Sequence, residues 1–280
     1  MGKIIAVSNH KGGVGKTTIV TNLSSYLLKY YKKILVMDFD PQANTTWALC
    51  EYAQDLKYRM EDVLRFGVAN DLDNEEANNK FQLLVKEATV DMIRNSGQIS
   101  LIGSSLTLSQ TKLELAKYES VVYFRIIDIV RNISKNYELT LIDTPPSIEM
   151  LTAAAVTASD FIIMPITLDL LAMNGALDIK QIIVPTAHKY YNPKLKVIGV
   201  VVNKRYRTNV AKTTRDIAKK SFGKDLFKTE ISRSIKVGEL ATLRGTVDDR
   251  SPRSKSDNEF IALAEEVYQR ITDEGKHAET

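Results

Sequence analysis

The stretch His10-Lys11-Gly12-Gly13-Val14-Gly15-Lys16-Thr17-Thr18 constrains this chain more than any other. It follows an apolar run, Ile4-Ile5-Ala6-Val7, and precedes a helical pattern from Thr17 to Tyr30. Strand, glycine-rich turn and helix, in that order, is the setting of a phosphate-binding loop. Glycine lacks the Cβ that holds a backbone away from a ligand, so the amides of Gly12, Gly13, Val14 and Gly15 can wrap a polyphosphate. The start of the helix, Lys16-Thr17-Thr18, adds unpaired N–H donors and the positive end of its dipole. On this reading Lys16 reaches the β and γ phosphates of a nucleotide and the Thr17 hydroxyl ligates Mg2+.

One detail departs from the common motif. The usual pattern has glycine five positions before Gly15, and here that position is His10, followed by a second lysine, Lys11. Two lysines in one loop repel each other unless each has its own share of anionic charge. Lys16 has the nucleotide of its own subunit, which leaves Lys11 to serve a phosphate elsewhere.

Alternation of apolar runs with helical patterns predicts an α/β fold, a mostly parallel twisted sheet flanked by helices on both faces. Strands are expected at 3–8, 33–38, 99–102, 139–143, 161–165 and 195–202. Helical patterns include 17–30, 119–135, 174–188 and 209–222. At 280 residues with 44% hydrophobic content, the chain is read as one domain over 1–280. The polar stretch from Gly67 to Lys80 reads as a solvated excursion between helices. Phe260, Ile261, Ala264, Val267, Tyr268 and Ile271 form a stripe in a last helix, expected to pack on the sheet. The single cysteine, Cys50, excludes a disulfide framework or a metal cluster held by paired cysteines, and suits a reducing, cytoplasmic setting. The first strand begins at once, leaving no room for a signal peptide, and no apolar run reaches the length of a membrane span.

Ligands of open parallel sheets sit beyond the carboxyl ends of the strands. The second strand ends Met37-Asp38-Phe39-Asp40-Pro41-Gln42, and the fourth ends Ile142-Asp143-Thr144-Pro145-Pro146. Apolar strands ending in aspartate suit Mg2+, which takes hard oxygen ligands and keeps several waters.

With these motifs in view, the chain resembles the ParA family of partition ATPases, in the deviant Walker A group that also includes MinD. The resemblance rests on Asn9 to Thr18, on Asp38-Phe39-Asp40-Pro41-Gln42-Ala43-Asn44 and on Asp143-Thr144-Pro145-Pro146. It implies that Lys11 reaches across a nucleotide-sandwich homodimer to the partner's phosphates. It implies that Asp40 positions the attacking water, that Asp38 and Asp143 hold the Mg2+ shell, and that Asn203 and Pro165 lie near the base of ATP. A ParB-type centromere-binding partner that stimulates slow hydrolysis, and a role in plasmid or chromosome segregation at the nucleoid, are implied in the same way.

From Asn203 to Lys255 the chain carries fifteen basic and six acidic side chains, +9 in a chain whose net charge is +4. Such asymmetry points to a polyanion, with double-stranded DNA the natural candidate. Lys212, Arg215 and Lys219, with Arg207 nearby, fall near one side of a helix. Arg205, Arg233 and Lys236 complete the expected DNA-binding set, which the resemblance supports as nonspecific binding. Three rival readings stand beside this one. A MinD-like membrane-positioning ATPase needs a basic amphipathic terminal helix, whereas this one carries Glu259, Glu265, Glu266, Asp273 and Glu274. A metabolic P-loop enzyme has no second substrate pocket legible here, and a non-enzymatic DNA-coating protein has no use for Asp40.

Overall fold

The computed structural model of the protein describes residues 2–94, 96–118, 120–206, 209–250 and 252–277. In the first strand, β1 (Lys3–Val7), Ile4, Ile5, Ala6 and Val7 are all buried, so both faces of the strand are covered. Successive side chains of a strand point to opposite faces. Ile5 and Val7 accordingly join the layer formed with the first and last helices, while Ile4 and Ala6 join the layers on the other side.

The chain continues through α1 (Lys16–Tyr26), β2 (Lys33–Asp38), α2 (Asn44–Leu49), α3 (Met60–Ala69) and α4 (Glu75–Ala88). Two strands, β3 (Thr89–Arg94) and β4 (Gly97–Ile102), precede α5 (Thr107–Leu115), α6 (Ser120–Ser134) and β5 (Leu139–Asp143). Next come α7 (Met150–Ala158), β6 (Phe161–Ile166), α8 (Leu170–Asp178), α9 (Val184–Tyr190) and β7 (Lys196–Val202). The chain closes with α10 (Asn209–Phe222), α11 (Ile235–Leu243), α12 (Val247–Arg250) and α13 (Lys255–His277). Among the described residues seven strands form one sheet in the order β3-β4-β2-β5-β1-β6-β7. Neighbours run parallel except β3 with β4. The expected α/β fold is therefore present. Asp143 is in register with Val7 on one side and Asp38 on the other, so the carboxyl ends of β1, β2 and β5 lie together.

Four expectations need correction. Strand β3 was missed because this edge strand, with Asp91 and Arg94, has no buried residue and no apolar run to mark it. The polar stretch at 67–80 is mostly helical. Asn74 caps α4 by accepting from Ala77 N at 3.0 Å, and Glu75 and Glu76 occupy its first turn, where acidic groups favour the helix dipole. The helix expected over 174–188 begins at Leu170 and passes through a π-helical turn at Ile179–Ile183. That turn ends two residues before Pro185, whose missing N–H breaks the regular ladder. In α13, Phe260, Leu263, Ala264, Val267 and Ile271 are buried and Tyr268 packs beside them, but Ile261 is 42% exposed. Ile261 lies about 100° around the helix from Phe260, off the buried stripe.

Candidate nucleotide site

The loop from Asn9 to Gly15 leaves β1 at the sheet's carboxyl edge and turns directly into α1. Gly13 and Gly15 have φ of 77° and 94°, a left-handed region that side chains strain to adopt. At Gly15 a Cβ would also strike the Asn203 amide. Lys16 is folded inward: its Nζ donates to the carbonyls of Asn9 at 3.1 Å and Lys11 at 3.4 Å. Burial pushes its pKa down, while the carboxylates of Asp143 and Asp40 push it up. Lys11 is different. It is half-buried, and its ammonium has no partner among the described residues.

The expected Mg2+ residues do come together. Asp143 Oδ2 accepts from the hydroxyls of Thr17 and Thr45, both at 2.7 Å. Its Oδ1 is buried and has no partner among the described residues. Both oxygens of Asp38 have donors by comparison: Oδ2 accepts from the amide and hydroxyl of Thr46 at 2.9 and 2.7 Å, and Oδ1 from Asp40 N at 3.1 Å. Burial and mutual repulsion with Asp143 hold the Asp38 carboxyl well above the usual range, and burial does the same for Asp143. An orphaned buried carboxylate oxygen next to a loop threonine is a donor set that fits a hard divalent cation. Asp40 is mostly buried; Oδ1 accepts from Gln42 N at 2.9 Å, and its carbonyl from Ser104 Oγ at 2.6 Å. Burial raises its pKa against the Gln42 amide and the Lys16 ammonium, which lower it.

Asn203 is buried against the loop. Its Nδ2 donates to Val14 O at 2.8 Å and its Oδ1 accepts from Lys204 N at 2.9 Å. Lys204, which sequence reasoning passed over, donates from Nζ to Gly13 O at 2.8 Å. Beside Thr18 and Asn203 opens a cavity of about 470 Å³, lined also by Lys204, Tyr206, Arg233 and Ile235. The Arg233 guanidinium lies 5.2 Å from the Tyr206 ring centroid on this wall. The amide of Asn203 therefore serves the loop, and the open space next to it is bounded by residues distant in sequence. A larger cavity of about 570 Å³, between α3 and α4, touches none of the expected site residues.

Residues 2–197 match the family profile described as AAA domain. Over 268 residues the chain is 31% identical to the sporulation initiation inhibitor protein Soj of Bacillus subtilis, covering 95% of this chain and 98% of that one. It belongs to the Soj/ParA family of partition ATPases. The chromosome-partitioning ATPase Soj of Thermus thermophilus is 28% identical over 269 residues, 95% of this chain and 96% of the relative. Among solved structures, cobyrinic acid a,c-diamide synthase of Mycobacterium smegmatis with bound ADP and magnesium has a TM-score of 0.74. That likeness covers 97% of this chain and 96% of the other at 21% identity, and it carries the fold alone.

Family membership leaves the basic segment to be read from its own contacts. Arg215 bonds Glu230 at 2.5 Å, and Arg205 lies 3.6 Å from Glu230, 3.8 Å from Glu259 and 2.9 Å from Ser232 Oγ. These two expected DNA-binding arginines have acidic partners within the fold, so less of their charge faces solvent than a count along the segment suggests. Lys212, Lys219 and Lys236 are exposed. Arg233 is exposed too, though it lines the cavity beside the loop. Arg207 lies outside the described residues.

Proposed function

We propose that this chain is an ATP-dependent DNA-partition ATPase whose active form is a nucleotide-sandwich homodimer. The observation that carries the reading is the contrast between its two loop lysines. Lys16 is buried and bonded within its own loop, while the Lys11 ammonium has no partner among the described residues. A cation left at the rim of a phosphate loop is suited to a phosphate brought by a second subunit, the part played elsewhere by an arginine finger.

In this reading the amides of Gly12 to Thr18 and the Lys16 ammonium hold the β and γ phosphates of ATP. Thr17 and Asp143 would hold Mg2+, which would neutralise phosphate charge, with Asp38, expected in the same shell, set behind them through its bonds to Thr46 and Asp40 N. Asp40, just beyond β2 and kept away from bulk water, orients the attacking water. Asn203 holds the loop, while Tyr206 and Arg233 border the space left for the nucleoside. Nonspecific DNA is assigned to the exposed Lys212, Lys219 and Lys236, with Arg233 at their margin. A ParB-type protein that accelerates hydrolysis, and a cytoplasmic, nucleoid-associated location, belong to this proposal and are supported by the names of the Soj and ParA relatives. The membrane-positioning alternative is disfavoured, because the apolar stripe of α13 is packed into the core and its Glu259 and Glu266 bond the protein itself.

The test is sedimentation with ATP and nonspecific DNA. Asp40→Ala should form an ATP-dependent dimer that co-sediments with DNA while hydrolysing at least about a hundredfold more slowly than the parent. Lys11→Ala should stay monomeric with its ATP affinity largely kept. A Lys11→Ala chain that dimerises and hydrolyses normally refutes the assignment in trans.

A further inference from the structure

The side chain of Asn9, the residue before the loop's histidine, has no role in the scheme above, yet it is buried and makes three hydrogen bonds. Its Nδ2 donates to Pro165 O at 2.7 Å, at the end of β6, and to Ala172 O at 3.0 Å, in the first turn of α8. Its Oδ1 accepts from the Lys11 backbone N–H at 2.8 Å. One amide thus joins a strand end, a helix and the peptide carrying the second lysine.

The helix has a matching feature. Gly175 sits in the middle of α8, where glycine costs about 1 kcal/mol relative to alanine. A Cβ on Gly175 would strike Asn9 Oδ1 and come within 3.0 Å of Lys11 N. The glycine lets α8 lie directly on the Asn9–Lys11 link. His10 adds a second tie, with Nδ1 at 3.4 Å from Asp178 Oδ2 at the far end of the same helix. This gives the residue that replaces the usual glycine something to do. Asn9 and His10 grip α8 near its two ends, while Lys16 is held by the backbone carbonyls of Asn9 and Lys11, which a change of the Asn9 side chain leaves in place.

We infer that Asn9 is a positioning residue for Lys11, clamping the second lysine's backbone to β6 and α8 through Pro165, Ala172 and the notch at Gly175. This rests on the proposed action of Lys11 on a phosphate of the second subunit. The clamp sets the direction in which Lys11 leaves the loop, so its loss affects dimer assembly and turnover. ATP binding by Lys16 in the same subunit is kept. Misplacing a catalytic group by about 1 Å can cost roughly a hundredfold in rate.

The experiment compares Asn9→Ala, Asn9→Asp, Gly175→Ala and the double variant Asn9→Ala/Gly175→Ala, with Lys11→Ala alongside. ATP affinity is read by titration with Mg2+, kcat at saturating ATP, and dimer formation by sedimentation. Asn9→Ala and Gly175→Ala should each lower kcat about tenfold or more and weaken the dimer, with ATP affinity within about threefold. Asn9→Asp keeps the acceptor for Lys11 but loses both donors, and should behave like Asn9→Ala. The double variant should be no worse than Asn9→Ala, because the new methyl fills space that the amide has left. Normal kcat and dimerisation in folded Asn9→Ala or Gly175→Ala would overturn the clamp. So would a parallel loss of ATP affinity, which marks general damage to the loop, or additive effects in the double variant. If Lys11→Ala is itself silent, the assignment in trans falls and the clamp with it. If Lys11→Ala alone is defective, only the clamp falls.

Discussion

The carboxyl edge of β1, β2 and β5 and the basic segment from 203 to 255 are both rich in charge, but they use it differently. At the strand ends, Asp38, Asp40, Asp143 and Lys16 are held where adjacent parallel strands and one loop converge. Each aspartate ends an apolar strand or follows it closely, and the register of the sheet sets Asp38 beside Asp143. In the basic segment, charge is dispersed over a helix and several turns, and its partners lie both within the segment, at Glu230, and beyond it, at Glu259. Glu230 pairs with Arg205 and Arg215, and Glu259 pairs with Arg205 and Lys255, so two carboxylates draw in three of the segment's cations. A surplus of positive charge counted along a segment therefore overstates the charge facing solvent, since ion pairs form in three dimensions.

The largest effect expected within this comparison is at the strand-end site. Gly15→Ala forces a side chain into the left-handed region and against the Asn203 amide. Urea unfolding should show a loss of about 2–3 kcal/mol. A stability within about 0.5 kcal/mol of the parent would mean that Asn203 does not brace the loop.

A smaller pair of effects separates the arginines of the basic segment from its lysines. Arg215→Ala leaves Glu230 short of a donor and should lower stability by about 1–2 kcal/mol with little change in the salt dependence of DNA binding. Lys219→Ala should do the reverse. Its stability should stay within about 0.5 kcal/mol, and the slope of log affinity against log salt should fall by about one. An Arg215 variant that loses the slope and keeps its stability would erase the distinction.

The smallest effect concerns pH. The buried Asp38 and Asp143 carboxyls have pKa values raised above those of an unfolded chain. Above about pH 4 the unfolded state gives up these protons before the folded state does. The folded protein then holds more protons, so stability of the nucleotide-free chain falls as pH rises through that range toward neutrality. Thermal unfolding between pH 5.5 and 8 should show a decline that Asp143→Asn flattens, since the amide removes one carboxylate and its repulsion of the other. A steeper decline in that variant would contradict the coupling.

Much of this protein was legible in its sequence. Apolar runs four to seven residues long mark strands covered on both faces, and a glycine loop followed by a helix marks a phosphate cradle, because both depend on local backbone chemistry. The helix over Asn209–Phe222 and the strands ending at Asp38 and Asp143 were read at their observed bounds for the same reason. The edge strand β3 was not legible, because its pairing with β4 replaces the apolar signal that a central strand needs. Nor could spacing alone say that Asn203 supports the loop, that Arg233 stands against Tyr206, that Gly175 makes room for Asn9, or that Arg215 is already paired. Each depends on residues from 15 to 189 positions apart meeting at one point. The sequence determined that a phosphate site with two lysines exists. Only the tertiary structure decided which lysine turns inward, because the carbonyls and carboxylates that surround Lys16 meet only after the sheet has formed.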